Sequence, residues 1–242
     1  MITLHAFAPA FGLPSPGPFV MKTEVQLQMM RLPYRCVIDR PTGAPKGKLP
    51  FIEDDGAVVA DSTFIRFHLE AKYAVDLDTG WDDRSRAKAW AIERLVEDQL
   101  YWAMVYSRWA IDANFAKGPA HFFDALPEEV QDEARQKQRR AVLSYLDGQG
   151  IGRHASDDIA QLARHGYASL AKLLGDRLYI LGERPCGADA SVFAQLASAL
   201  TPFFDSPVRD AAASCDNLVA YSRRMMVAYF PDFADPADTQ SL

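Results

Sequence analysis

Residues 47–62 read GKLPFIEDDGAVVADS, in which Asp55-Gly56 separates two short apolar runs. This dipeptide predicts a tight turn between antiparallel strands, because both residues tolerate positive φ angles. Leu49-Pro50 then enters the first strand, and a proline must lie there at a strand start or an edge because it has no N–H to donate. A cis bond before Pro50 would leave the backbone N–H and C=O of Leu49 free to pair with an extended ligand.

A helix is expected to follow the hairpin. Ser62 precedes apolar residues at helical spacing, which predicts a helix from Ser62 to about Tyr73. The N-terminus of a helix carries unpaired N–H groups and a partial positive charge. We therefore expect Ser62 to hold a carboxylate and the neighbouring Asp61 to hold an ammonium group. The alternative is that the two residues only cap the helix.

The composition is that of an ordinary globular protein. The chain has 242 residues, of which 49% are hydrophobic, and a formal net charge of -6. This acidic balance argues against non-specific binding to nucleic acid or to an anionic membrane. No apolar run approaches the roughly 18 residues of a membrane helix, so we expect a cytoplasmic protein with no membrane partner.

The three cysteines, Cys36, Cys186 and Cys215, are widely separated. An odd and scattered set predicts reduced thiols at core or cap positions, and it provides neither a disulfide framework nor a metal-binding cluster.

The first part of the chain alternates strands and helices. Residues 2–7 and 34–38 have strand patterns on either side of a helical pattern at 19–30, and the hairpin and the helix from Ser62 follow. This βαβ-ββα order is typical of an α/β thioredoxin-like domain, which we assign to residues 1–74.

The remainder of the chain has helical patterns only. Residues 74–83 are the expected linker, and residues 84–242 are the expected all-α C-terminal domain. Its first helix spans about 84–111, because this stretch contains no proline or glycine. Further helices are expected from Ser156 to the stop at Gly175, near 188–202 and near 216–229.

Four separated segments occur in the order found in one known family. They are KGKLPFI at 46–52, ADSTFI at 60–65, GIGRH at 150–154 and YFPDF at 229–233. Together they resemble the failed-axon-connections branch of the glutathione transferase superfamily, which is related to metaxins. The resemblance covers nearly the whole chain. It implies the glutathione transferase fold, with a thioredoxin-like domain that binds glutathione, an all-helical C-terminal domain, and assembly as a homodimer.

The resemblance also implies roles for residues of the hairpin. The residue before the cis-proline, here Leu49 before Pro50, would pair with the cysteinyl backbone of glutathione. Asp61 would hold the ammonium group and Ser62 the carboxylate of the γ-glutamyl end. Lys48 would take the glycyl carboxylate, and the alternative for Lys48 is a solvated basic turn.

The residue that usually activates the thiol is missing. The family pattern resembles Ser-Pro-Phe-Cys at the start of the first helix, whereas this chain has Gly17-Pro18-Phe19-Val20. A hydroxyl at this helix start favours the thiolate of glutathione, and a cysteine would form mixed disulfides. Ser15 is the nearest hydroxyl and the first catalytic candidate, with a turn serine between two prolines as the alternative.

An aromatic hydroxyl from the second domain is the other kind of catalytic candidate. Tyr106 and Tyr101 are the residues considered. Positions five apart on a helix lie about 140° from each other, so at least one of them is expected to pack in the core. Trp102 and Trp109 either wall an electrophile pocket or pack against the first domain.

Two other features concern the second domain. Arg153 either binds a carboxylate or forms an internal ion pair, and His154 either transfers a proton or caps a helix. Asp189 follows Cys186 by three residues at a predicted helix start, where it can accept the backbone N–H of Cys186. We expect Asp189 to have a structural role.

Two functions agree with these residues. The first is a glutathione transferase that conjugates the thiolate of its co-substrate glutathione to a small apolar electrophile. The second is a binding or scaffold protein that keeps the fold but is catalytically weak or inactive, as Gly17 and Val20 permit. A membrane-associated adapter like the metaxins ranks last, because the chain ends in the polar sequence DTQSL.

Overall fold

The first domain is a four-stranded sheet with two helices, as the sequence predicts. The computed structural model describes residues 1–239 of the chain. The elements are β1 Ile2–Ala6, α1 Pro18–Met29, β2 Tyr34–Ile38, β3 Phe51–Asp54, β4 Ala57–Ala60 and α2 Ser62–Tyr73. The strand order is β2-β1-β3-β4, with β1 parallel to β2 and antiparallel to β3. This arrangement confirms the thioredoxin-like prediction.

The hairpin has the predicted local geometry. The Leu49-Pro50 peptide bond is cis, and β3 begins at the next residue. Asp55 and Gly56 have φ angles of 50° and 85°, so both occupy the left-handed region that a primed turn requires. β3 and β4 then pair antiparallel on either side of this turn.

The described part of the second domain consists of helices joined by turns and loops. Its helices are α3 Asp83–Arg94, α4 Tyr101–Trp109, α5 Asp112–Lys117, α6 Glu128–Gln149, α7 Ser156–Leu174, α8 Gly187–Leu200, α9 Pro207–Ala213, α10 Asp216–Tyr229 and α11 Pro236–Thr239. Helices α3 and α4 are joined by a π-helical turn at Leu95–Leu100. The single long helix that the sequence predicts is therefore one rod with a π turn inside it.

Helices α5, α6, α9 and α11 are additions to the individually predicted helices. Of these, α9 has a clear start signal. It begins at Pro207 after Ser206, whose hydroxyl accepts the N–H of Arg209 at 3.1 Å. A capping serine followed by a proline at the first helical position is a known helix-start pattern. The sequence contains this start pattern at Ser206-Pro207, but the helix that follows is only seven residues long and was not predicted.

Helix α1 lies between two hydrophobic cores. Val20 and Leu27 belong to the smaller core, which α2 and the sheet enclose. Met21 and Val25 belong to the larger core, which the helices of the second domain form. The N-terminus of α1 is consequently held at the boundary between the domains.

The cysteine prediction is confirmed for two residues and wrong for the third. Cys186 and Cys215 are the N-caps of α8 and α10, and all three thiols are free. Cys36 is exposed on β2, because this strand lies at the edge of the sheet. Within residues 1–239, no helix is both long and apolar enough to cross a membrane. Part of the predicted polar tail, residues 240–242, lies outside the described residues.

Candidate functional site

The start of α1 is built from Gly17 and Pro18. Gly17 is the N-cap and Pro18 occupies the first helical position, as the sequence predicts. Ser15 is fully buried, and its hydroxyl oxygen accepts the N–H of Gly17 at 3.3 Å. The structure thus places the Ser15 hydroxyl two residues before the N-cap Gly17, where it supports the turn.

The start of α2 combines a strained backbone with an unpaired hydroxyl. Asp61 is the N-cap of α2, and its carboxylate accepts the N–H of Thr63 at 3.0 Å. Its φ angle of 85° is unfavourable for a residue with a side chain, and such outliers cluster at functional sites. Ser62 is only 4% exposed, and its hydroxyl has no hydrogen-bond partner within residues 1–239.

The backbone before the cis-proline is also unpaired. Leu49 is buried, and its N–H and C=O make no hydrogen bond to any described residue. Lys48 beside it is exposed, whereas the ammonium group of Lys46 lies 5.0 Å from the centre of the Phe64 ring. The hairpin therefore presents a free backbone donor and acceptor together with a free lysine.

The rod formed by α3 and α4 faces the first domain with charged and aromatic side chains. The ring of Tyr101 lies 4.9 Å from the ring of Phe19 on α1. Burial raises the pKa of the Tyr101 hydroxyl, which the positive charge of Arg108 partly offsets. Tyr106 packs against the larger core, as do Trp102 and Trp109. Tyr101 is thus the tyrosine of this pair with an observed contact to α1.

A buried group of charges joins the two domains, and we call it the paired charge cluster. It consists of Lys22, Arg66, Asp78, Glu93 and Glu97. The ammonium group of Lys22 lies 2.7 Å from the carboxylate of Glu97 and 3.5 Å from that of Glu93. Since Lys22 lies on α1 and both glutamates lie on the rod, these pairs cross the domain boundary.

Arg66 on α2 extends the same cluster. Its guanidinium lies 3.0 Å from Glu93, 2.6 Å from Asp78 and 2.9 Å from Glu70. Burial alone would lower the pKa of Arg66, but these carboxylates raise it above its usual value. Asp78 also accepts the N–H of Gly187 at 2.9 Å, so the cluster reaches the first residue of α8.

Arg108 on α4 is a buried cation of a different kind. Its guanidinium donates to the carbonyl oxygen of Pro16 at 2.9 Å and to that of Ser198 at 2.6 Å. The rings of Phe11 and Phe204 flank it, at 5.6 and 4.9 Å from ring centre to guanidinium carbon. None of the carboxylates in the described part of the chain forms an ion pair with Arg108. Burial lowers the pKa of Arg108 to about 10, so it is charged at neutral pH.

The segment that precedes α1 is fastened to the second domain at two points. We call residues 7–17 the α1 loop. Arg108 holds its Pro16 carbonyl, and the hydroxyl of Thr201 donates to its Phe11 carbonyl at 2.7 Å. The position of the α1 N-terminus therefore depends on the second domain.

Arg153 and Asp189 have the structural contacts that the sequence suggested. Arg153 forms an exposed ion pair with Asp147 at 3.2 Å. Asp189 accepts the N–H of Cys186 at 2.8 Å, the N–H of Ile180 at 3.0 Å and the hydroxyl of Tyr221 at 2.8 Å. Its carboxylate ties the start of α8 to its neighbours.

Sequence reasoning missed Lys22, Arg66, Glu93, Glu97 and Arg108. A signal was present for Arg66, which lies between Ile65 and Phe67 in the sequence, but not for Glu93 and Glu97, which charged residues follow directly. Charged residues are almost never fully buried unless they are paired. A charged residue on an apolar helix face therefore indicates either a buried ion pair or a site.

Two family models match this chain. The model of the glutathione S-transferase N-terminal domain matches residues 18–115, and the model of the C-terminal domain matches residues 163–225. Isoprene-epoxide glutathione S-transferase of Rhodococcus sp. (strain AD45) is 32% identical over 207 residues, which are 81% of this chain and 85% of that protein.

Other similar proteins are not named as glutathione transferases. Failed axon connections of Drosophila melanogaster is 27% identical, over 96% of this chain and 59% of that protein. Metaxin-2 of Mus musculus is 26% identical, over 86% of this chain and 80% of that protein. These matches confirm the branch that the four sequence segments resemble.

A solved structure shows the same fold. β-Etherase LigF from Sphingobium sp. strain SYK-6 superposes with a TM-score of 0.65 at 19% identity, over 99% of this chain and 97% of that one. At this identity the likeness extends to the fold alone.

Proposed function

Because the chain belongs to the glutathione S-transferase family, we propose that it binds glutathione between the hairpin and the N-termini of α1 and α2. The observation that carries this proposal is the group of unpaired donors and acceptors at Leu49 and Ser62, beside the cis bond before Pro50. Buried polar groups are normally paired, so such groups suit a polar ligand.

Each part of the tripeptide has a proposed partner. The N–H and C=O of Leu49 pair with the cysteinyl backbone, as an added strand would. Ser62 at the α2 N-terminus binds the γ-glutamyl carboxylate, and the second carboxylate oxygen of Asp61 binds the ammonium group. Lys48, which is exposed and unpaired among the described residues, takes the glycyl carboxylate.

Activation of the thiol is proposed to occur at the α1 N-terminus. The N–H of Phe19 has no partner within residues 1–239, and the helix dipole adds a partial positive charge there. Both features favour a thiolate. Ser15 and Tyr106 remain the side-chain candidates, and comparison of conjugation rates in Ser15→Ala and Tyr106→Phe tests them.

The proposed second substrate is a small apolar electrophile. The rings of Phe11, Phe122, Phe203 and Phe204 form one cluster beside the α1 loop, with centroid separations from Phe11 of 4.8 to 5.4 Å. Aromatic side chains of this kind favour apolar ligands. Since a relative is named for an isoprene epoxide, small apolar epoxides are the first compounds to assay.

Calorimetric titration with glutathione tests the binding site. Ser62→Ala removes a hydrogen-bond donor to a charged group and is expected to weaken binding by about 1–3 kcal/mol. Ser156→Ala is a matched control, since Ser156 also begins a helix but lies in the second domain. Equal affinity in Ser62→Ala and the unsubstituted protein would contradict the site.

A binding protein without turnover is the second candidate. It is favoured by the burial of the Ser15 hydroxyl and by Gly17 and Val20 at the positions where the family pattern has serine and cysteine. Saturable binding of glutathione with no conjugation of any epoxide would support this function.

We also propose that the protein is a cytoplasmic homodimer. Phe64, Phe67 and Trp90 are 57%, 46% and 45% exposed, and their rings are neighbours at 6.2 and 6.4 Å across both domains. Contiguous exposed aromatic surface marks an interaction site. Phe67→Glu is expected to yield monomers in sedimentation analysis, whereas Val130→Glu, at an exposed residue of α6, should leave the assembly unchanged.

A further inference from the structure

No carboxylate among residues 1–239 gives Arg108 the counter-charge that a buried cation normally has. This arginine is 5% exposed, and its Nε atom is buried without a hydrogen-bond partner. The titratable groups that would act on Arg108 if they were ionised are the hydroxyls of Tyr101 and Tyr167, and burial raises the pKa of both. Since these hydroxyls are neutral at physiological pH, the charge of Arg108 is not neutralised locally.

The uncompensated charge lies next to the start of α1. Arg108 donates to the carbonyl of Pro16, which immediately precedes the N-cap Gly17. In a water-poor interior a charge acts over a longer range than it does in solvent. The positive charge and the free N–H of Phe19 therefore act on the same small region.

We propose that Arg108 is a positioning residue that supplies the positive charge behind the α1 N-terminus and thereby favours the thiolate form of glutathione bound there. This inference rests on the proposed function and deepens it. The thiol proton leaves to water. The negative charge that remains on sulfur is stabilised by a cation with which none of the described carboxylates forms an ion pair. The charge stabilises the thiolate in place of the serine hydroxyl that the related pattern has and this chain lacks.

Arg108 also holds the α1 loop through its hydrogen bond to the Pro16 carbonyl. The effect of its charge on the thiol must therefore be separated from the effect of this hydrogen bond by experiment. Arg108→Lys keeps the charge and can donate to a carbonyl. Arg108→Gln keeps donors and removes the charge. Thr201→Val removes the other fastening bond, from Thr201 to the Phe11 carbonyl, without altering any charge.

The measurement is the titration of the thiol of bound glutathione, followed by the ultraviolet absorbance of the thiolate at saturating glutathione. Two unit charges roughly 10 Å apart at an effective dielectric constant of about 20 change a pKa by about one unit. We expect the thiol pKa to rise by about that amount in Arg108→Gln and to stay near the unsubstituted value in Arg108→Lys and Thr201→Val. A role in folding alone would not produce this order.

Three outcomes would overturn the inference. Equal thiol pKa values in Arg108→Gln and the unsubstituted protein would show that the charge has no effect. An equal rise in Thr201→Val would show that fastening of the loop is responsible. Absence of glutathione binding to the unsubstituted protein in calorimetry would overturn the proposed function as well. Calorimetry measures binding independently of the thiol pKa, so this outcome is distinguishable from the other two. Should Arg108→Gln fail to fold by circular dichroism, Arg108→Met removes the same charge.

Discussion

Two arginines are buried at the boundary between the domains, and their surroundings are opposite. Arg66 is 7% exposed and lies within ion-pair distance of Glu70, Asp78 and Glu93. Arg108 is 5% exposed, and in the described part of the chain it donates only to two backbone carbonyls. The same side chain at nearly the same burial is thus fully paired in one place and unpaired in the other.

The contrast is visible in the directions of the two pKa shifts. Burial lowers the pKa of both guanidinium groups. At Arg66 the surrounding carboxylates outweigh burial and raise the pKa, whereas at Arg108 burial prevails and lowers it to about 10. A paired buried charge joins structural elements, while an unpaired one leaves its electric field available to a ligand. We infer that the paired charge cluster serves stability and that Arg108 serves the site.

The largest expected effect comes from breaking the paired charge cluster. Arg66→Ala leaves the carboxylate of Asp78 without its ion-pair partner and that of Glu93 with Lys22 alone, at 3.5 Å. Removal of one partner from a buried pair costs about 3–5 kcal/mol. Chemical denaturation measures the loss in free energy of unfolding. Arg108→Met is the contrasting variant. It removes an unpaired charge and leaves two carbonyls without donors, so we expect a smaller loss of about 1–3 kcal/mol. Equal losses would contradict the distinction.

A smaller effect is expected from crowding the same cluster without removing a charge. A Cβ atom on Gly187 would lie 2.2 Å from the guanidinium of Arg66, which is held by three carboxylates and cannot move freely. We expect Gly187→Ala to lower the free energy of unfolding by about 1–3 kcal/mol.

Gly148→Ala is the matched control for this substitution. Gly148 lies inside α6, and no atom lies within 4 Å of an added Cβ. Alanine is favoured over glycine in a helix by about 0.5–1 kcal/mol, so we expect this variant to be slightly more stable. Destabilisation in both variants would show that the cost arises from the helical backbone and not from contact with Arg66.

The parts of the fold that depend on local chemistry were predictable from the sequence. Asp55-Gly56 specifies its turn by backbone preference, and Pro50 can enter the sheet only at a strand start. Ser62 begins α2, as the apolar spacing after it indicated. These features involve residues close together in the chain, so their physics can be read within a short window.

The charge arrangement was not predictable, because it depends on residues that are distant in the chain. Arg66 pairs with Glu93 27 positions away, and Arg108 bonds Ser198 90 positions away. The π turn at Leu95–Leu100 was not predicted, for a related reason. Its sequence has no proline or glycine to mark it, and its contacts are with α7, α8 and Lys22, which are distant in the chain.

The smallest expected effect comes from an arginine that is paired but exposed. Arg153 and Asp147 form an ion pair at 3.2 Å with side chains that are 65% and 63% exposed. Water already solvates both charges, so the pair gains little over separate ions. We expect Arg153→Ala to change the free energy of unfolding by less than about 0.5 kcal/mol in chemical denaturation. This variant sharpens the comparison of Arg66 with Arg108. Arg153 has a carboxylate partner, as Arg66 does, but it is exposed, whereas Arg66 and Arg108 are both buried. A loss close to that of Arg66→Ala would mean that pairing itself sets the strength of these sites, and that burial at the domain boundary contributes little.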